Sequence, residues 1–296
     1  MAAAVDASQS VAAAPATFWI NGETTTTIAL TDRGLHYGDG LFTTLAIRHG
    51  EPLLWSHHWQ RLLAGCHQLQ IPPPAPQPLL QALRQLAVGR SRAVVKLILT
   101  RGSGGRGYLP PLSVTISRIV ACYPWPNYPV TNWRDGVRLH WCRTRVGRSS
   151  PALAGLKHLN RLEQVIARAE WRDPTLAEGV MCDQQGRVIE GTMSNLLLLR
   201  GDELLTPSLQ QSGVRGVMRD QLLQLATTLG LTIRKQSLLP SALLSGDELM
   251  ICNSVIGLWP VRELAGVSLP VGALSRQLLP RLRRHERQSV AELPAT

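Results

Sequence analysis

A chain of 296 residues, 44% of them apolar, can fill one large or two ordinary cores, and none of its apolar runs approaches the roughly 18 residues that a membrane span requires. The formal charge of +11 would suit nucleic acid, but the arginines are dispersed, only "RLRRHERQ" (281–288) is dense, and two phenylalanines with tryptophans scattered from Trp19 to Trp259 make no stacking platform. Cys66, Cys122, Cys142, Cys182 and Cys252 lie at wide, irregular spacing with no C-x-x-C pair, which excludes a zinc or redox motif and reads as buried thiols of a reducing compartment.

The first 16 residues are Ala-rich, without a basic start or a leucine-rich core, and read as a loose tail rather than a signal peptide. A cytoplasmic protein is expected. "FWINGETTTTIAL" (18–30) has the pattern of two strands about an Asn-Gly turn. Gly34, Gly38 and Gly40 then crowd a turn, and "LFTTLAIRHGEPLLW" predicts two strands joined at His49-Gly50. Residues 56–69 have helical spacing behind a Ser56 N-cap, and 77–88 predict a second helix. "RAVVKLILTRG" and "SVTISRIVACYP" read as core strands on either side of a glycine-rich loop.

The next segment, rich in Pro and aromatics, has no periodicity and predicts a linker. Beyond it come a strand at "VRLHWCRTRV", a helix opened by Lys157, a strand pair around 179–207, a helix over 217–229, a strand at 231–236 and another at "ELMICNSVIGLWPV". The expected fold class is α+β or mixed α/β in two lobes. The boundaries expected are a lobe at 17–122, a linker at 123–135 and a second lobe at 136–296, with a ligand cleft between the lobes.

Lys157 stands out because only Lys96, Lys157 and Lys235 are lysines among 31 basic residues. Leu159, Leu162, Val165, Ile166 and Ala169 fall on one helical face behind it, which puts Lys157 at or just before a helix N-terminus. A cation there is opposed by the helix dipole, which would lower the amine's pKa toward the neutral form that carbonyl chemistry needs. By itself, a lysine ahead of a helix is usually a solvated surface residue.

Six strings in register change that reading: "LHYGDGLFTT", "RGSGGRGY", "GLKHLNRLEQV", "VIEGTMSNL", "GVRGVMRD" and "ICNSVIG". Together, over about residues 18–262, they resemble the fold-type IV pyridoxal-phosphate enzymes, a D-amino-acid aminotransferase-like fold. That family includes branched-chain and D-amino-acid aminotransferases and 4-amino-4-deoxychorismate lyase. "RGSGGRGY" and "KHLNRLEQV" look most like the lyase branch, as do Phe42 and Thr43, where aminotransferases tend to have an aromatic followed by Glu.

The resemblance implies pyridoxal 5'-phosphate as cofactor, with Lys157 as the residue that bonds to it and later moves the substrate proton. Glu190 matches the carboxylate that faces the pyridine nitrogen, where an anion keeps the ring protonated and electron-accepting. Arg61, the backbone N–H groups of Val217 and Met218 at a helix start, and the Ser254 hydroxyl match the phosphate cradle. Arg106 and Tyr108 fall where the family holds a substrate carboxylate, on a loop that in the family reaches the neighbouring subunit, so a homodimer is implied. Tyr37 and Asp39 read as structural, and His36 and His158 as satisfied polar side chains.

The function implied is a lyase that turns 4-amino-4-deoxychorismate into 4-aminobenzoate and pyruvate, a step of folate synthesis, with no metal, nucleic-acid or membrane partner. An aminotransferase on the same fold is the alternative, and a basic nucleic-acid-binding protein the remote one.

Overall fold

The computed structural model describes residues 16–291 and residue 293, so the expected N-terminal tail lies, but for residue 16, outside the described residues. The chain is organised around two sheets. Its first half contributes β1 (Thr17–Ile20), α1 (Arg33–Tyr37), β2 (Gly40–Arg48), β3 (Glu51–Pro52), α2 (Trp55–Leu69), α3 (Pro76–Ala87), β4 (Arg92–Thr100) and β5 (Ser117–Pro124). These strands make an antiparallel sheet in the order β1-β5-β4-β2-β3.

Strict alternation gives this sheet two different faces. Ala93, Val95, Leu97 and Leu99 of β4, with Leu41, Leu45 and Ile47 of β2, pack against Leu62 and Cys66 of α2 and Leu79 and Leu83 of α3. The opposite face carries Phe42, Thr44 and Val94, which line a cavity. That second face explains why a central strand such as β4 includes a half-buried lysine, Lys96.

After α4 (Thr131–Arg134), the second half supplies β6 (Val137–Val146), α5 (Leu162–Arg168), β7 (Leu176–Asp183), β8 (Val188–Gly191), β9 (Asn195–Arg200) and β10 (Glu203–Pro207). It continues with α6 (Val217–Thr227), β11 (Thr232–Gln236), α7 (Pro240–Leu244), β12 (Glu248–Asn253), β13 (Gly257–Leu264), β14 (Val267–Ser268) and α8 (Leu274–Ala291). The order is β11-β10-β9-β12-β13-β6-β7-β8, with β14 beside β13. β6 runs parallel to both β7 and β13, and β10 parallel to β11, while the other pairs are antiparallel. The sheet curls until β8 lies against β9 and β10. One core forms around Leu139, Leu198, Ile251 and Trp259, and a second where Leu197, Met250 and Leu258 meet α6 and α8. The mixed α/β class and the two-lobed arrangement agree with the sequence.

Several local expectations differ from what the chain does. The Asn-Gly turn forms, with Asn21 and Gly22 at positive φ, but the Thr-rich run beyond it makes no strand. That run offers little apolar side chain to bury, and β1 instead pairs with β5. Helix α2 starts at Trp55 rather than behind Ser56; its preceding residue, Leu54, is left-handed and donates its N–H to Ser289 Oγ of α8. The largest difference concerns Lys157. No helix opens there, because α5 begins only at Leu162 and residues 155–159 are held extended between two neighbours. Phe42 N donates to Lys157 O and Leu159 N to Gly40 O on one side, while Gly155 exchanges backbone hydrogen bonds with Gly213 and Arg215 on the other.

All five cysteines are free and buried. Among the described residues no helix is long and apolar enough to cross a membrane, and no cluster of three or more His, Cys, Asp or Glu is placed to hold a metal.

Candidate active site

A cavity of about 410 Å³ lies between the two sheets. Phe42, Thr44 and Val94 of the first sheet and Arg61 of α2 form one wall; Lys157, Glu190, the 191–195 turn, the start of α6 and the 252–255 turn are among the residues that form the rest. Arg61, Lys157, Glu190, Val217, Met218 and Ser254, singled out in the sequence at wide separations, therefore border one space.

Lys157 is half-buried in the wall, its Nζ 4.4 Å from the centre of the Phe42 ring, whose other cationic neighbour is Lys96 Nζ at 4.7 Å. Burial, then the charge of Arg61, brings its pKa down to about 7, against the pull of Glu190 in the other direction. A helix dipole is not the cause, since the helix starts downstream. Near neutral pH the amine is thus divided between its charged and nucleophilic forms.

Glu190, on β8, is buried, and burial raises its pKa. Its carboxylate accepts from Val214 N at 2.8 Å and from Gln164 Nε2 at 3.4 Å. The charges of Arg161 and Lys157 act against burial to favour the ionised form.

Part of the cavity lining suits an anion. Helix α6 begins after Gly216, which brings no capping side chain, so the first N–H groups of the helix are left without a side-chain acceptor. A Cβ on Gly216 would run into the Asn195 side chain, so the close approach requires glycine. Arg61 donates to Thr43 Oγ1 at 2.6 Å and to Arg215 O at 3.3 Å, yet its Nε is buried with no partner, and burial lowers its pKa to about 10. A guanidinium that no carboxylate pairs directly, although the charge of Asp220 acts on it, and an uncapped helix start beside one cavity fit a phosphate. With the Lys157 amine and the Glu190 carboxylate lining the same cavity, the donor set fits a phosphorylated pyridine aldehyde.

Four further residues bear on the site; the sequence leaves Arg161 open as a substrate contact and assigns the other three no role. Arg161 folds back to donate through Nε to His158 O at 2.9 Å and through Nη2 to Leu156 O at 3.0 Å, which clamps the main chain on both sides of Lys157. Gln164 supports Glu190. Tyr128, in the expected linker, lines the cavity and packs edge-on to Trp259 with centroids 4.9 Å apart, so the aromatic richness of that segment was the available signal. Lys96 was marked only by the rarity of lysine. His158 is corrected: its Nδ1 is buried without a partner, and burial followed by Arg161 lowers its pKa to about 4.

Arg106 and Tyr108 do not reach this chain's own cavity. Arg106 is exposed and Tyr108 is 86% exposed, on a loop held by Arg33, which donates to the Gly107 and Tyr108 carbonyls. Tyr37 Oη accepts from Gly107 N, and Asp39 accepts from Arg33 and Arg101.

The turn at 191–195 depends on Glu178, whose carboxylate accepts from Gly179 N, Thr192 N and Oγ1, Met193 N and Ser194 Oγ. Glu178→Ala leaves these donors unpaired, those of Gly179 and Ser194 in a buried place, and we expect a loss of about 3 kcal/mol of stability. Thermal unfolding that matches the parent would show that the turn holds without it.

These features define a class. A sequence profile of the family Amino-transferase class IV matches residues 40–264, and the chain belongs to that family. It is 37% identical to an aminodeoxychorismate lyase of Vibrio harveyi over 88% of this chain and 97% of that protein. It superposes with a TM-score of 0.85 on the crystal structure of 4-amino-4-deoxychorismate lyase from Pseudomonas aeruginosa, at 47% identity, covering 90% of this chain and 98% of that one. An Escherichia coli branched-chain aminotransferase has a TM-score of 0.81 at 23% identity, covering 93% of this chain and 96% of that one, which shows the shared fold.

Proposed function

We propose that this chain is a pyridoxal-phosphate-dependent lyase that converts 4-amino-4-deoxychorismate to 4-aminobenzoate and pyruvate. The observation that carries the reading is the buried Lys157 amine, set in one cavity with Arg61 and Glu190. Likeness to two lyases across nearly the whole chain supports the substrate.

Arg61, the N–H groups of Val217 and Met218, and Ser254 would hold the cofactor's phosphate, and Glu190 its ring nitrogen. The cofactor supplies a conjugated ring that takes up electrons when a proton leaves the amine-bearing carbon. Lys157 would be the residue that holds the cofactor, and as a neutral amine it would be the base that takes the substrate proton. Removal of the proton drives out the enolpyruvyl ether and aromatises the carbocycle; the proton removed balances the one the fragment gains as pyruvate. Arg161 keeps the Lys157 main chain in place during this exchange. Arg61, Arg161 and Lys96 all weigh on Lys157 as positive charge, an environment that suits a substrate bearing two carboxylates.

The test supplies purified protein with chorismate, glutamine and an aminodeoxychorismate synthase, and follows 4-aminobenzoate and pyruvate. Equimolar formation of both is expected. A protein that carries the cofactor, forms neither product and transfers amino groups between amino and keto acids would be an aminotransferase.

The proposal includes a cytoplasmic homodimer in which the Arg106–Tyr108 loop serves the other protomer's cavity. Large exposed apolar residues on that loop (Tyr108, Leu109, Leu112) and on α5 (Leu162, Val165, Ile166) support it, since a monomer has little reason to leave such residues in water. Arg106→Ala and Lys157→Ala should each be inactive alone, whereas co-expression should restore about a quarter of parent activity, because half of the dimers are hybrids with one intact site. No recovery would place the loop's function elsewhere.

A further inference from the structure

Behind the cavity wall lie two fully buried polar side chains to which the proposed reaction assigns no work, Thr43 and His58. Thr43 is on the helix-facing side of β2, between Leu41 and Leu45, and His58 lies one turn before Arg61 on α2. Arg61 Nη2 donates to Thr43 Oγ1 at 2.6 Å, and the same oxygen is 2.6 Å from His58 Nδ1.

What each group can donate or accept fixes the protons. A guanidinium only donates, so the Thr43 hydroxyl accepts from Arg61 and must place its own proton on another acceptor. Its other hydrogen-bond partner is His58 Nδ1, so the ring's proton sits on Nε2. His58 Nε2, which then carries the ring's proton, is buried and unpartnered. Complete burial, with Arg61 close by, also keeps the ring uncharged. An orphaned N–H in a core is costly, and what it accompanies here is a fixed hydroxyl acceptor for Arg61.

A carboxylate in the place of Thr43 would hold the guanidinium as firmly but would also neutralise it. We propose that Thr43 and His58 form an uncharged relay that fixes the Arg61 guanidinium at the cavity edge and leaves its charge for the phosphate of the cofactor. Both are positioning residues that act through Arg61, and the inference rests on the proposal that the cavity holds pyridoxal phosphate.

The test titrates the cofactor-free protein with pyridoxal phosphate and, separately, with pyridoxal, which lacks the anion. Thr43→Val keeps the shape of the side chain and removes the junction; its affinity for pyridoxal phosphate should fall about tenfold or more, with pyridoxal binding unchanged. Thr43→Ser, which restores a hydroxyl, should bind both like the parent, and His58→Leu should repeat the selective loss. If Thr43→Val binds both vitamers as the parent does, or loses both alike, the pair serves packing only and the relay is refuted. If the parent itself takes up neither vitamer, the cofactor reading falls and the relay falls with it.

Discussion

Lys157→Ala is expected to lose covalent attachment of pyridoxal phosphate altogether, so that borohydride fixes no label to the chain, and to lower turnover by about 10³-fold or more. No other lysine is placed to substitute. Lys96 Nζ lies 4.7 Å from the centre of the Phe42 ring but does not line the cavity, and Lys235 is exposed on β11 outside the cavity wall. Fixed label in the variant would transfer the role to one of these lysines. The same residue sets a pH dependence. With its pKa lowered to about 7 by burial and by Arg61, Lys157 is mostly charged below that value and mostly neutral above it. Capture of pyridoxal phosphate by the cofactor-free protein should therefore speed up as pH rises through about 7 and level off beyond it, whereas a solvated lysine would keep gaining up to about 10.4. Arg61→Met removes a charge that lowers this pKa, so the midpoint should move up, although burial still holds it below the usual lysine range.

Glu190→Gln has the second largest expected effect, a fall of about 10² in turnover with the fold intact. The amide oxygen can still accept from Val214 N, and a flip of Gln164 lets its carbonyl accept from the new amide. What disappears is the negative charge, and with it the reason for a pyridine nitrogen to stay protonated. The absorption of the bound cofactor should shift and its pH titration should move to lower pH, while the thermal unfolding midpoint stays within a few degrees. Parent-like turnover in this variant would remove Glu190 from the chemistry. Loss of the carboxylate should also lower the Lys157 pKa further, since Glu190 is the charge that raises it.

The sequence was most legible where local pattern and tertiary environment agree. "VRLHWCRTRV" is β6 from its first residue to its last, and the helices expected at 77–88 and 217–229 form within two residues of those limits. It was least legible at Lys157. The spacing of Leu162, Val165 and Ile166 is helical, and those residues do form α5, but they face outward. The stretch from Gly155 to Arg161 is not helical because β2, the 213–215 segment and the Arg161 side chain take up its backbone groups, and no local pattern encodes such distant partners. For the same reason the burial that lowers the lysine's pKa was invisible, and a helix dipole stood in for it. Residues around the cavity were legible as a set of motifs, whereas Gln164, Tyr128 and the Glu178 hub become visible only when the chain is folded. Arg106 and Tyr108 show the reverse: their string is distinctive, but their position is on the surface of a single chain.

The cavity wall is drawn from both sheets, with Phe42, Thr44 and Arg61 on one side and Glu190, Val217 and Ser254 on the other. An occupant that touches both sides is thus a structural tie as well as a reagent. In calorimetric terms it adds coupling between two cores that are otherwise packed separately, and mass action raises that contribution with the logarithm of its free concentration. Vitamin supply, through this tie, would set how cooperatively the polypeptide melts and how long it resists proteolysis.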